Sequence, residues 1–92
     1  MPKYVIERNI PGASKLSPAE LQAISAKSNA VLRELGPAVQ WVQSFVAGDK
    51  IYCIYNAENP EMVKEHARCG GFPADLITKV AAVIDPTTGE TA

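Results

Sequence analysis

The chain has 92 residues, 47 % apolar and 21 % charged, with a formal net charge of −1, which is the make-up of one globular domain with a modest core. That balance excludes the basic stripe that neutralises phosphates, so no nucleic-acid partner is expected. No apolar stretch approaches the roughly twenty residues of a membrane span, and Met1-Pro2-Lys3-Tyr4 lacks the apolar core of a secretory signal. A cytoplasmic location is expected, with Cys53 and Cys69 as reduced thiols.

Lys3 to Asn9 reads as a strand, because Tyr4, Val5 and Ile6 favour extended backbone and Pro2 and Pro11-Gly12 bound them. Ser17-Pro18-Ala19-Glu20 is a capping box with proline at the first helical position. Leu21, Ile24, Ser28, Val31 and Leu35 then repeat at helical spacing, and Gly36-Pro37 stops the helix. Val39 to Val46 and Ile51 to Tyr55, joined by Gly48-Asp49, form a β-hairpin. Asn59-Pro60-Glu61 opens a second helix whose inward face carries Val63, His66 or Ala67, and Gly70; Gly70-Gly71 ends it. Asp75 is expected to cap a short helical turn, Ala74 to Ile77, before a last strand from about Lys79 to Ile84. Pro86 onward is expected to fray, leaving an ordered core of about 3–85 within a single domain spanning 1–92.

The order strand, helix, strand, strand, helix, strand is an α+β, ferredoxin-like βαββαβ arrangement: a four-stranded antiparallel sheet with two helices on one face. In Ile51 to Tyr55 both alternation sets are apolar, with Ile51, Cys53 and Tyr55 on one side and Tyr52 and Ile54 on the other. A strand with two apolar faces needs cover on both. The helices cover one, and a second copy of the chain, sheet against sheet, would cover the other. A homodimer is therefore expected.

Chemistry is most concentrated in Glu65-His66-Ala67-Arg68-Cys69-Gly70-Gly71-Phe72-Pro73-Ala74-Asp75, which holds the single histidine. Imidazole and thiolate are good ligands for late transition metals, and His66 and Cys69 share one helix face. His66 is the leading candidate metal ligand, expected at a partly exposed position, with Glu7 and Cys69 as helpers. The plainer alternative is a packed histidine beside a helix stop. Glu7 and Arg8 are neighbours in a strand and point to opposite faces. Glu7 is either a ligand or base in a cavity beneath the sheet, or a surface acid paired with Lys50 or Lys79. Trp41, Tyr52 and Tyr55 are candidate cavity-lining residues, with Gln43 on the same face as Trp41. Cys53 reads as an inert buried thiol. Cys69 stands at a helix C-terminus, where the dipole disfavours a thiolate. No catalytic triad order, phosphate-cradling loop or zinc-ribbon spacing is present.

The segments Tyr4-Val5-Ile6-Glu7-Arg8, Ile10-Pro11-Gly12, Trp41-Val42, Ile51 to Tyr55 and the close Gly71-Phe72-Pro73-Ala74-Asp75 resemble a family of small ferredoxin-like proteins, largely of unknown function, that includes nickel-binding members. The resemblance spans residues 3 to about 85. It implies a homodimeric α+β barrel and, in some members, bound nickel. The nickel-binding form has a histidine between glycine and proline after the second helix, where this chain has Phe72. The reading that results is a non-catalytic cytoplasmic protein of metal handling that binds a divalent transition metal, nickel first, with copper or zinc as alternatives. The competing reading is a small enzyme or ligand carrier with an apolar, aromatic cavity between the sheets of a dimer. One histidine per chain is few for a closed metal site. No organic cofactor is implied.

Overall fold

The computed structural model describes residues 1–90. It contains β1 (Lys3–Asn9), α1 (Pro18–Leu35), β2 (Val39–Ala47), β3 (Lys50–Ala57), α2 (Pro60–Gly70) and β4 (Leu76–Lys79), with short 3-10 turns at Ala13–Lys15, Gly36–Ala38 and Pro86–Glu90. The four strands form one antiparallel sheet in the order β2-β3-β1-β4. This is the ferredoxin-like arrangement expected from the sequence, with α1 and α2 packed over one face.

Both helices begin as their sequences dictate. At α1, Ser17 Oγ accepts from the Glu20 amide at 3.1 Å and Glu20 Oε1 accepts from the Ser17 amide at 3.0 Å, a closed capping box. At α2, Asn59 Oδ1 accepts from the Met62 amide at 3.0 Å. Gly71, at φ 70°, ends α2 in the left-handed region that glycine enters without strain.

Alternation along β1 and β3 sorts the side chains by face. Tyr4, Ile6 and Arg8 of β1 and Ile51, Cys53 and Tyr55 of β3 are buried under the helices. Val39, Ala57 and Val63 complete that core, and Ser28 is the buried residue of α1. The opposite face of the sheet carries Val5, Glu7, Tyr52 and Ile54, each only partly covered, with Val42 and Phe45 about half exposed.

Three expectations are corrected. The last strand is Leu76–Lys79 rather than about Lys79 to Ile84. Its register pairs Tyr4 with Lys79, and the Val80 amide makes the final ladder bond to Lys3 O. Since β1 starts at Lys3, the apolar run after Val80 has no backbone left to pair with. Asp75 does not cap a helical turn. Its amide donates to Glu7 O at 3.0 Å and its Oδ2 accepts from the Asn9 amide at 2.6 Å, so it starts the β1–β4 ladder. Gln43 does not share a face with Trp41. A bulge at Val42 shifts the register between them, so Trp41 pairs with buried Tyr55 and Gln43 with Ile54 on the open side. Pro86–Glu90 is a 3-10 turn held by Asp85, whose side chain accepts from the Thr87 and Thr88 amides. Residues 91–92 of the expected tail lie outside the described residues.

Candidate functional site

Alternation places Arg8 on the inward face of β1, and it is only 4 % exposed. Its Nε donates to Cys53 Sγ at 3.3 Å, Nη1 to the carbonyl of Pro73, and Nη2 to Tyr55 Oη at 3.5 Å. The guanidinium also lies 5.6 Å from the centre of the Phe72 ring and 6.0 Å from that of Tyr55, within cation–π range. All these partners are neutral. Among the described residues the ion pairs are Lys50–Glu7 and Arg68–Glu65, and neither involves Arg8. A buried cation compensated by a carbonyl, a thiol and a hydroxyl, with no charged partner, is unusual, because burial of a charge normally demands one.

His66 projects from α2 into the same cluster and is fully buried. It lies 5.1 Å from Tyr55 and 5.5 Å from Phe72, ring centre to ring centre, and its Nε2 shares a 3.0 Å hydrogen bond with Ser28 Oγ of α1. Nδ1 is sealed from solvent with no partner. Burial, and then the charge of Arg8, push the imidazole pKa down to about 4 against the opposing pull of Ser28. His66 is thus neutral at physiological pH. Gly70 makes room for the cluster: a Cβ there would stand 2.3 Å from Phe72 Cε2. Burial raises the Tyr55 hydroxyl pKa, with Arg8 acting in the opposite direction.

Beside this cluster, between α1 and the sheet, is a cavity of about 80 Å³. Arg8 and Tyr55 supply its polar end, and Leu21, Ile24, Trp41 and Phe72 contribute apolar wall. Of the three aromatics expected to line a cavity, Trp41 and Tyr55 do so, while Tyr52 lies across the sheet, paired with Glu7 and Phe45. This cavity lies on the helix side of the sheet within one chain, and a separate groove on the open face is lined by Val5, Val42, Phe45 and Ile54. Alternation through Tyr4 and Ile6 was the signal for Arg8, which was not among the candidates.

The three candidate metal ligands are not brought together. Glu7 is on the open face, partly exposed, with Oε1 3.3 Å from Lys50 Nζ, which is the surface pairing weighed from sequence. His66 is on the helix side and fully buried rather than partly exposed, because its α2 face packs on Tyr55 and Ser28. Cys69 is exposed on α2, with its Sγ 3.4 Å from Glu65 Oε1. Its pKa is raised by desolvation, then by the hydrogen bond and charge of Glu65, with Glu34 of α1 adding to the effect. Among the described residues no three His, Cys, Asp or Glu side chains gather at one point.

This donor set does not fit a nickel ion held at His66. The ion needs several nitrogen, sulfur or oxygen donors around it, and His66 offers one imidazole whose Nε2 is engaged with Ser28. The Arg8 charge that opposes protonation of that ring opposes a divalent cation for the same reason. Glu65 and Cys69, one helical turn apart, offer a pair of donor atoms in contact on α2, where Arg68 donates to both Glu65 oxygens and lies 3.6 Å from Cys69 Sγ.

Comparison with known proteins gives two likenesses. A family model described as "Nickel responsive protein SCO4226-like" matches residues 4–80. The crystal structure of SCO4226 from Streptomyces coelicolor A3(2) superposes with a TM-score of 0.74 at 20 % identity, covering 89 % of this chain and 99 % of that one. No curated protein matches. Among the described residues, no helix is long and apolar enough to cross a membrane.

Proposed function

The chain belongs to the SCO4226-like family of nickel responsive proteins, and from that premise we propose that it is a small, non-catalytic, cytoplasmic protein that binds nickel as part of a nickel response. On this reading the ion is met at the exposed surface of α2 by Cys69 and Glu65, with water filling the remaining positions, and not at His66. The observation that carries the choice is the 3.4 Å contact between Cys69 Sγ and Glu65 Oε1 at the surface, where the neighbouring cation, Arg68, is itself exposed, set against an imidazole enclosed in the core beside buried Arg8. Desolvation, and then the hydrogen bond and charge of Glu65, raise the Cys69 thiol pKa in the free protein against the opposing charge of Arg68. A divalent cation between these groups reverses that preference, since a metal-bound thiol gives up its proton. An open site of this kind releases its ion readily, which suits a response better than storage. The free thiols Cys53 and Cys69 fit a reducing compartment.

We also propose a homodimer through the open face of the sheet, where Val5, Val42, Phe45 and Ile54 line a groove with Val83 and Ile84 of the segment after β4, both largely exposed. An apolar sheet face of this kind marks an interaction surface. Sedimentation of the parent and of Phe45→Lys reads this directly, and a parent that stays monomeric at micromolar concentration overturns it.

The test of metal binding is calorimetric titration of chelator-stripped protein with nickel, copper and zinc, followed in parallel by sulfur-to-metal charge-transfer absorption. The parent is expected to bind nickel with such a band, Cys69→Ala to lose the band and most of the affinity, and His66→Gln to retain both. Absence of heat with all three metals refutes the reading. So does a Cys69→Ala variant that binds like the parent.

A further inference from the structure

Among the described residues Arg8 is the one buried side chain that carries a charge, its hydrogen-bond partners are a thiol, a carbonyl and a hydroxyl, and it faces a cavity with apolar walls. We propose that this cavity binds a small organic monocarboxylate, whose carboxylate pairs with Arg8 and whose apolar body lies against Leu21, Ile24 and Trp41. The site is separate from the α2 surface and does not depend on the metal reading.

The argument for an anion is electrostatic. A guanidinium carries five N–H donors in a planar fork, and here three of its nitrogens each donate once to a neutral atom. No carboxylate of the described residues forms an ion pair with it. A ligand carboxylate supplies the missing charge and matches the fork in two parallel bonds. One cation balances one negative charge, which favours a monocarboxylate over a dianion such as phosphate. Phosphate would carry excess charge into a wall of Leu21, Ile24, Trp41 and Phe72. Tyr55 Oη, already 3.5 Å from Arg8 Nη2, is placed to donate to the second carboxylate oxygen.

The size of the ligand follows from the room available. Each water-sized position needs roughly 10–15 Å³, so about 80 Å³ holds five to eight non-hydrogen atoms by that measure. Three of these are the carboxylate. The remainder is a branched or short aliphatic body, and 3-methylbutanoate is a suitable probe.

Trp41 lines the cavity and is the only tryptophan, so its fluorescence reports occupancy. Titration of the full chain with 3-methylbutanoate, with its neutral amide, and with inorganic phosphate is expected to show saturable change with the acid. The amide should bind roughly ten- to hundred-fold more weakly, the difference expected for a charge-assisted hydrogen bond, and phosphate should not compete. In Arg8→Gln the acid and the amide should become equal. Ser25→Leu, which fills the cavity from α1 and leaves the Arg8 side chain itself unaltered, should abolish both and keeps the proposal testable should Arg8→Gln fail to fold. Equal binding of acid and amide to the parent overturns the proposal, as does no response to the acid, or unchanged acid binding in Ser25→Leu.

Discussion

Acidification of the folded protein isolates His66, because it is the single histidine of the chain. In the unfolded chain its imidazole takes up a proton near 6.5. In the folded protein burial and Arg8 hold that event down to about 4. Between those values the unfolded state binds more protons than the folded state, so stability must fall as pH is lowered. The contribution is complete above pH 6.5, declines through the window and is exhausted near pH 4. At about 1.4 kcal/mol per pH unit the full effect is of order 3 kcal/mol, and about 2.5 kcal/mol should be lost by pH 4.5. Total stability for a domain of this size is about 5–14 kcal/mol, so the loss is large enough to measure. Urea unfolding between pH 4.5 and 7.5, read by Trp41 fluorescence, gives the stability curve, and the imidazole proton resonance gives the titration itself. His66→Phe keeps an aromatic ring in the cluster and has nothing to protonate. Its slope between pH 5 and 6.5 should vanish. An imidazole that titrates at 6 or above in the folded protein refutes the reasoning, as does a His66→Phe variant with the parent's slope.

Further outcomes follow from the same packing. Gly70→Ala sets a methyl 2.3 Å from the Phe72 ring; the ring must move off His66, at about 1–3 kcal/mol of stability for an overpacked site, read as a lower urea midpoint. Ser17→Ala opens the capping box of α1 and should cost about 1 kcal/mol in the same assay. Glu7→Gln removes an ion pair whose side chains are 31 % and 43 % exposed. It should change stability by less than about 1 kcal/mol and leave nickel binding unaltered; lost metal affinity would assign Glu7 to the site after all.

Features encoded by neighbours a few residues apart were legible from the sequence. The capping box and the glycine stop set both ends of α1, and the two-residue alternation of Ile51 to Tyr55 divided its side chains between the two faces, although both sets are apolar and only one is buried under the helices. Features set by distant partners were not. Where β4 ends depends on where β1 begins, and nothing in Val80-Ala81-Ala82-Val83-Ile84 announces that Lys3 is its last available neighbour. The bulge at Val42 is likewise a property of pairing with β3, and it alone moves Gln43 away from Trp41. For the site, the sequence left His66 or Ala67 as the inward residue of α2 and placed His66 at a partly exposed position, whereas it is fully buried. Its chemistry, however, depends on Ser28 from α1, Tyr55 from β3 and Arg8 from β1, all brought to it by the fold.

Glu7 and Arg8 show most directly how one strand divides two charges between two environments. Outward, Glu7 meets Lys50 across the ladder in water, where such a pair contributes little and needs little. Inward, Arg8 enters the core with no acid opposite it, although the register would allow one: its neighbour on β3 is Ile51, and Cys53 and Tyr55 follow on the same face. An isolated buried cation destabilises a fold unless hydrogen bonds and charge offset the desolvation, and apolar residues of similar volume often pack there at no loss. Packing alone therefore gives no reason for arginine at position 8. A need to recognise charge does, because the same desolvation that makes the free guanidinium unfavourable strengthens its attraction for an incoming carboxylate. The feature that is least explained as structure is thus the one best explained as a binding site.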